Sequence, residues 1–264
     1  MRTFKALLLA AILTAAAAFP ALPSIIVERS RHALVIGIDA YDNVADLKKA
    51  RNDAVAVATK LEALGFEVLK GLDVNRAQYI SLLSEFTGRV GPWDDVVFYF
   101  AGHGFAVDGH NYLLPSDVPN PMDKWDLVLW KAIPVDRIIT TLPRHRAGVA
   151  MLILDVDRPV SVAHVPENTF ILFSAGFNQR PLESLGSPDL DENPNSIFVR
   201  SLLPLLPLLE EPGLSLQELA RRVQADVYEL ARSIGHNQIP AHIQIFPSFP
   251  EFSNIGGLPE FIER

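Results

Sequence analysis

Short apolar runs alternate with helical patterns along most of this chain of 264 residues. Five of these runs contain almost no polar side chain, and they span residues 33–38, 66–69, 96–100, 151–154 and 170–173. Runs that are this short and apolar on both faces are typical of strands buried inside a parallel sheet. Residues 241–246 predict one more strand. We therefore expect one α/β domain, with a central, mostly parallel sheet of about six strands and helices on both faces.

Two helices are predicted after the first and second strands. Asn52 or Asp53 can cap a helix that runs to Leu64, and Gly65 ends it. Asn75 can cap the next helix, whose apolar residues keep helical spacing up to residue 90. Both helices would connect successive strands of the sheet.

The second half of the chain predicts short helices and one long helix. Residues 135–142 predict a short helix, and residues 195–209 are expected to be helical in pieces because two prolines interrupt them. Ser215 and Glu218 form a capping-box pattern ahead of a long amphipathic helix. The buried stripe of that helix is predicted to consist of Leu219, Val223, Val227, Leu230 and Ile234.

The chain contains no cysteine, and this count removes several kinds of site at once. Disulfides, cysteine-based zinc sites, iron–sulfur clusters and cysteine nucleophiles are all excluded. The chain is also acidic, with 31 Asp and Glu against 23 Lys and Arg and a net charge of −8. Such a surface argues against nucleic acid or an anionic membrane as the main partner.

The N-terminus has the features of a secretory signal peptide. Arg2 and Lys5 precede an uncharged run over residues 6–19, which is too short to span a bilayer comfortably. Three alanines at residues 16–18 offer a cleavage site, so residues 1–18 are predicted to be removed. We expect an exported protein, periplasmic or secreted, without a stable membrane span after cleavage; an uncleaved anchor running to Val27 is the alternative. Residues 31–246 would form the domain, followed by a C-terminal tail at 247–264.

Chemically useful side chains follow two of the predicted strands. Ligands of parallel sheets bind at the carboxyl ends of strands. His103 follows the third strand between two glycines, which allow a sharp turn and leave the imidazole uncovered for general-base work. Asp155 and Asp157 follow the fourth strand, and paired carboxylates suit metal binding or acid–base chemistry. Each motif taken alone is also typical of an ordinary loop histidine or of a solvated acidic turn.

Considered together, these motifs resemble a known family. His103 and Asp157 are 54 residues apart, and a histidine about fifty residues before the nucleophile is the caspase spacing. The other matching segments are RHALVIG at 31–37, NDA at 52–54, LGF at 64–66, FYFAGHG at 98–104, NYLLP at 111–115, LILD at 152–155 and NSIF at 195–198. The chain thus resembles the caspase-like peptidases of clan CD, family C14, in particular the bacterial metacaspase-like or orthocaspase group. The resemblance implies the strand order 2-1-3-4-5-6.

The resemblance also assigns roles to four residues. Active members read Asp-Ala-Cys-Arg where this chain reads DVDR at 155–158, so Asp157 stands at the position of the nucleophilic cysteine. His103 matches the catalytic histidine. Asp53 and Asp155 match the acidic residues that line the specificity pocket and favour Arg or Lys at the cleaved position. Helix capping by Asp53 and a strand-end acceptor role for Asp155 are equally open explanations.

The missing thiol changes what such a site can do. In the family, a thiolate attacks the peptide bond and the histidine protonates the leaving amine. A carboxylate is a far weaker nucleophile toward an amide, and its acyl product would be an anhydride. We therefore expect no cysteine-peptidase activity. An ion pair between Asp157 and His103 is possible, and it would raise the pKa of the histidine.

Three functions are compatible with these observations. The first, which we favour, is a pseudopeptidase that binds a basic (Arg/Lys) peptide segment or a partner protein and needs no metal or cofactor. The second is a hydrolase that works without a thiol, by Asp/His assistance or by a metal held by Asp157, Asp155 and His103, with His110 as a further ligand. The third is a structural or interaction domain with a vestigial pocket.

Overall fold

The structure is a computed structural model that describes residues 29–122, 124–142, 148–156, 159, 162, 165–186, 191–211 and 215–245. The expected signal peptide at 1–18 and the expected tail at 247–264 lie outside these residues. Asp157 and Arg158 lie outside them as well. Within the described residues, no helix has the length and the apolar character needed to cross a bilayer.

Nine strands occur in the described part of the chain. They are β1 Arg31–Gly37, β2 Glu67–Leu72, β3 Asp95–Ala101, β4 Gly104–Val107, β5 His110–Leu113, β6 Ile133–Pro134, β7 Val149–Asp155, β8 Thr169–Phe173 and β9 Ala241–Ile245. Six of them form the central sheet, in the order β2-β1-β3-β7-β8-β9. Neighbouring strands are parallel except for β8 and β9, which are antiparallel. The predicted six-stranded, mostly parallel sheet and its strand order are confirmed once the three short strands are set aside.

Helices connect these strands. They are α1 Ala50–Ala63, α2 Arg76–Arg89, α3 Trp125–Lys131, α4 Val135–Thr141, α5 Ile197–Leu202 and α6 Leu216–Arg232, with a 3₁₀ helix at Leu206–Glu210. Residues 195–209 are thus helical in two pieces, as expected from the two prolines.

Each central strand contributes side chains to two cores, one on either face of the sheet. In β3, Phe98 and Phe100 belong to the core that includes residues of α2 and α4. Val97 and Tyr99 belong to the opposite core, with residues of α1, α5 and α6. This alternation follows from the two-residue period of a strand, and it explains why the runs are apolar throughout. Helices on both faces are confirmed.

The predicted cap of α1 is wrong. The helix begins at Ala50, so Asp53 lies inside its first turn and Asn52 is not a cap either. The carboxylate of Asp39 instead faces the first amides of the helix, those of Arg51 and Ala50, which lower its pKa against the larger, raising effect of burial. A capping group supplied by a distant loop leaves no local sequence signal, because the usual cap precedes the helix directly.

The two other predicted N-caps, Asn75 and Ser215, are present in the structure. Asn75 caps α2 in a full capping box with Gln78. The Ser215 hydroxyl accepts a hydrogen bond from the Glu218 amide, but the Glu218 carboxylate binds Arg221 and Arg222 rather than completing a box. The buried stripe of α6 contains Leu219, Val223 and Val227, whereas Leu230 is only partly buried. Ile234 was wrongly included, since it lies beyond the helix and is 42% exposed.

A small antiparallel sheet, β4-β5-β6, lies beyond β3 and was not predicted. Its strands have two to four residues, which is too short for an alternating pattern to appear. Phe105 of β4 stacks on Tyr112 of β5 and contacts Trp125 of α3, with 5.0 Å between the last two ring centroids. Trp130 of α3 is largely exposed, with the Arg76 guanidinium over its ring.

Candidate functional site

A cleft of about 300 Å³ lies at the carboxyl ends of β3 and β7. The strand register aligns Ala101, the last residue of β3, with Asp155, the last residue of β7. The residues that line the cleft come from α1 and the loop before it, both strand ends and the segment after β8; they are Leu47, Ala50, Asp53, Ala101, Gly102, His103, Asp155, Val156, Arg180, Pro181, Leu182, Glu183, Ser184, Gly186 and Ser196. Three of the four residues predicted from the sequence, His103, Asp53 and Asp155, therefore meet in one cleft.

The imidazole of His103 is held in one orientation by the loop after β1. Its Nε2 lies 2.7 Å from the carbonyl oxygen of Ala45. A carbonyl can only accept, so Nε2 carries the hydrogen and, in the neutral ring, Nδ1 is the basic nitrogen. The Tyr41 ring packs against the imidazole, with 4.8 Å between the centroids. A histidine fixed in this way has the base-and-orienter geometry of acid–base catalysis.

Gly102 is required by a close approach beside the histidine. The Tyr41 hydroxyl accepts a hydrogen bond of 2.8 Å from the His103 amide. A Cβ on Gly102 would lie 2.7 Å from that hydroxyl oxygen and 3.0 Å from the Phe100 ring. The glycine thus makes room for the group that positions the His103 backbone, which is more specific than the sharp turn inferred from the sequence.

Asp53 and Asp155 both accept hydrogen bonds from Ser196. Asp53 is only 1% exposed, and its Oδ1 accepts hydrogen bonds from Asn195 Nδ2 at 2.9 Å and from the Ser196 amide at 3.0 Å. Asp155 Oδ2 accepts from the Ser196 hydroxyl at 3.2 Å. Asp53 therefore ties α1 to the start of α5, and Ser196, the N-cap of α5, connects the two carboxylates.

The charge of Asp155 influences the ionisation of Asp53. Burial, and after it the charge of Asp155, raise the pKa of Asp53 from its ordinary 3.8 to about 7. The hydrogen bonds from Asn195 and Ser196 act in the opposite direction without cancelling these effects. A carboxyl group of this kind is partly protonated at neutral pH, and its charge responds to whatever enters the cleft.

A network of polar side chains fixes the outer wall of the cleft. Asp191 binds Lys49 Nζ at 3.1 Å and Arg200 Nη2 at 2.6 Å, and it accepts from the Leu185 amide at 2.9 Å. Hydrogen bonding to Arg200 is the main reason why the pKa of Asp191 lies well below its usual range. Gln238, fully buried, accepts from the Leu182 amide at 2.9 Å. The wall is therefore held by α1, α5 and the segment before β9.

Two parts of the predicted chemistry are not seen among the described residues. Asp157 is outside the described residues, so its proximity to His103 stays a prediction; its neighbour Val156 lines the cleft. Among the described residues there is no group of three side chains arranged to hold a metal ion. His110, the extra metal ligand considered above, pairs with Asp136 and is not among the residues lining the cleft.

Several residues of the site were not predicted from the sequence. Ala45 acts through its backbone carbonyl, which any residue provides, so no sequence signal marks it. Glu183, which accepts from the Lys48 amide at 3.1 Å, lies in a segment without regular structure. Asn195 and Ser196 did carry a signal, because a polar pair directly before an apolar helix is a typical N-cap. Their second role, as partners of Asp53, depends on the tertiary fold.

The cleft lies at the carboxyl ends of β3 and β7 in a sheet of order 2-1-3-4-5-6. The sequence comparison agrees with this fold. The chain matches the caspase domain family over residues 30–247 and belongs to it.

Two relatives extend the comparison. The chain is similar to the mucosa-associated lymphoid tissue lymphoma translocation protein 1 of Homo sapiens and to its homolog in Mus musculus. Each is 25% identical over 130 residues, which is 49% of this chain and 15% of the relative. The aligned region thus spans only a small part of the length of these relatives.

Proposed function

We propose that this chain is a pseudopeptidase of the caspase domain family, which binds a basic segment of a peptide or partner protein and does not cleave it. The observation that carries the proposal is the pair of carboxylates, Asp53 and Asp155, beside an oriented His103 in a chain without any cysteine. Within the family, the bacterial metacaspase-like group is the one whose motifs the sequence follows, with Asp157 at the nucleophile position.

The physical argument for binding without cleavage has two parts. A guanidinium or ammonium group is the natural counter-ion for two carboxylates at the base of a narrow cleft, where the low dielectric strengthens their attraction. Cleavage needs a nucleophile, and the loss of one removes most of the rate even where binding contacts persist. The chain offers no thiol to supply that nucleophile.

Binding is tested with two blocked peptides that differ only in one side chain, arginine or its neutral isostere citrulline. The arginine peptide is expected to bind more tightly to the wild-type protein. Asp155→Asn should weaken this binding about tenfold or more, which corresponds to ~1.4 kcal/mol. Asp226→Asn, which removes the same charge from the exposed side of α6, should leave it unchanged. Equal affinity for the two peptides would refute recognition of the basic side chain.

Activity is tested by restoring the thiol. The wild-type protein is expected not to cleave Arg or Lys peptides, and Asp157→Cys is expected to cleave them slowly. That cleavage should be stopped by iodoacetamide and by adding His103→Ala, the matched control in the same background. Because a displacement of about 1 Å can cost 10²-fold, the recovered rate should be far below that of an active peptidase. An Asp157→Cys protein that binds the arginine peptide and never cleaves it would show that the site no longer has catalytic geometry.

The alternative is a hydrolase of the same fold that works without a thiol. It is favoured only by the oriented imidazole, whose Nδ1 could take a proton from a water molecule. Cleavage of an arginine peptide by purified wild-type protein in iodoacetamide, lost in His103→Ala, would replace the pseudopeptidase proposal with this one. A chelator would then separate metal assistance from Asp/His assistance.

A further inference from the structure

The short strand β4 leads directly away from the cleft. His103, which lines the cleft, is followed at once by Gly104, the first residue of β4. A Cβ placed on Gly104 would lie 3.1 Å from the Cβ of Val156, which lines the cleft as well. The cleft and the start of β4 are therefore contiguous, and a peptide that leaves the cleft past His103 meets β4 next.

One edge of β4 has no neighbouring strand in the part of the chain that the structure describes. The order of the small sheet is β4-β5-β6, so β4 pairs with β5 alone. All of β4, Gly104–Val107, is partly exposed. The open edge of a strand presents backbone N–H and C=O groups that can pair with another extended segment.

The turn of the β4–β5 hairpin determines which backbone groups face β5. Asp108 and Gly109 form a two-residue turn with positive φ at both positions, 50° and 80°, as in a type I′ turn. The residues that flank such a turn, Val107 and His110, form a hydrogen-bonded pair. Because hydrogen-bonded pairs alternate with non-hydrogen-bonded pairs in an antiparallel ladder, every second residue of β4 bonds to β5.

The residues of β4 left over by this alternation are Gly104 and Ala106. The Leu114 amide donates to the His103 carbonyl at 2.9 Å, which fits the alternation because His103 is four residues before Val107. Neither Gly104 nor Ala106 has a backbone hydrogen bond outside the ladder among the described residues. The open edge therefore offers the N–H donors and C=O acceptors of these two residues.

Aromatic rings extend from this edge onto α3. Phe105, between the two residues of the open edge, stacks on Tyr112 with 5.1 Å between the ring centroids. Trp125 contacts Phe105 from α3 and is 43% exposed. In a strand added to this edge, the side chain next to Phe105 would pack on these rings. Aromatic and β-branched side chains form favourable cross-strand pairs with an aromatic residue.

We infer that the ligand adds as a strand to the open edge of β4 while its basic side chain occupies the cleft. This inference rests on the proposed function, which supplies the basic side chain. The ligand is then an extended segment, and on one side of its basic residue an aromatic or β-branched side chain packs against Phe105 and Trp125. A helical segment, or one with proline at the pairing positions, is excluded because it cannot form the backbone hydrogen bonds.

An N-methyl scan of blocked peptides with a central arginine tests strand addition. Only every second N–H of an added strand faces its neighbour. On one side of the arginine, N-methylation at alternate positions should therefore weaken binding about two- to tenfold, and the position between them should tolerate it. At the tolerant position, tyrosine should bind more tightly than glycine. Trp125→Ala should reduce this preference, and Trp93→Ala, which removes another exposed tryptophan, should not.

Ala106→Pro is the corresponding change in the protein. Proline removes the outward N–H of residue 106 but leaves the hydrogen bonds between β4 and β5, and it is tolerated on edge strands. The variant should bind the extended peptide more weakly and lose its sensitivity to N-methylation at one of the alternate positions. Ala106→Ser, which keeps the N–H, should bind as wild type does. Urea unfolding checks that both variants are folded.

The possible failures are distinguishable. Arginine-dependent binding that N-methylation weakens nowhere, or weakens equally at adjacent positions, would overturn strand addition and leave the proposed function standing. An alternating pattern that persists unchanged in folded Ala106→Pro would overturn β4 as the edge that is used. Equal affinity for the arginine and citrulline peptides would overturn the proposed function itself.

Discussion

Asp53 shows how one buried side chain serves the fold and the site together. Its two hydrogen bonds join α1 to the start of α5. Its charge is unfavourable in that position, because burial and Asp155 both oppose ionisation. Asp53 can therefore accept these hydrogen bonds in either protonation state, but only its charged form is electrostatically unfavourable.

The unfavourable ionisation of buried Asp53 predicts how the free energy of unfolding depends on pH. The pKa of Asp53 is near 3.8 in the unfolded chain and about 7 in the folded protein, so the folded state binds more protons between these values. Its stabilising contribution is present at low pH and is lost as the pH rises through 7. Asp53→Asn keeps an acceptor and cannot titrate, so we expect its stability relative to that of wild type to increase by about 1–3 kcal/mol between pH 5 and pH 8.

The measurement is urea unfolding of both proteins from pH 5 to pH 8. Asp226→Asn serves as the control for loss of one negative charge, since Asp226 is exposed on α6. A constant difference between wild type and Asp53→Asn across this range would contradict the expected titration.

Only some of the individual site residues could be predicted from the sequence. His103 and Asp155 follow apolar strands, and the rule for parallel sheets places such residues together. Asp53 could be identified only by resemblance, because a carboxylate in a first helical turn looks like a cap. The contact between His103 and the Ala45 carbonyl was beyond prediction, since it depends on the conformation of a loop.

At the scale of elements, the strands were predicted from their apolar runs but are longer than those runs. β1 begins at Arg31 rather than at Ala33, and its polar first residues are buried. Arg31 Nη1 donates to the Leu64 carbonyl at 2.9 Å, and its guanidinium lies over the Phe66 ring. Polar residues with such partners extend a buried strand without leaving a hydrophobic signal.

The close contact between β1 and α1 at Gly37 leads to a prediction at the scale of elements. A Cβ on Gly37 would lie 2.3 Å from the Ala50 carbonyl oxygen and 2.5 Å from the Ala54 Cβ. Gly37→Ala must therefore push α1, with Asp53, away from the sheet. We expect a loss of about 1–3 kcal/mol in the free energy of unfolding and weaker binding of the arginine peptide.

Gly88→Ala is the matched control for this substitution. Gly88 lies in α2, and among the described residues nothing comes within 4 Å of a Cβ placed there. Alanine in a helix is favoured over glycine, so this variant should gain about 0.5–1 kcal/mol. Denaturant titration of the two variants checks both signs, and a Gly37→Ala protein as stable as wild type would show that the crossing tolerates a methyl group.

At the scale of the whole molecule, the two cores share the same strands. Leu152 and Ile153 are neighbours in β7, yet one belongs to the core with α2 and α4 and the other to the core with α1, α5 and α6. Neither core can be lost while the strands remain ordered. The strand order could be derived from the family resemblance, but this sharing follows from the side-chain alternation alone.

A single cooperative unfolding transition is the expected result. Leu152→Ala and Ile153→Ala should each lower its midpoint, since removing a buried Leu or Ile side chain costs about 2–5 kcal/mol. Both variants should keep one transition when it is followed by circular dichroism and by hydrogen exchange in strands and helices. Separate transitions in either variant, with one set of helices melting first, would contradict the shared-core arrangement.

The exposure of the tryptophans determines what their fluorescence can report about this protein in solution. All three tryptophans of the chain, Trp93, Trp125 and Trp130, are between 43% and 64% exposed. Their emission in the native state already reports a largely aqueous surrounding, so unfolding will change it little. Trp125 contacts Phe105, two residues after His103, and is therefore the tryptophan whose emission we expect to respond when a ligand binds at the cleft.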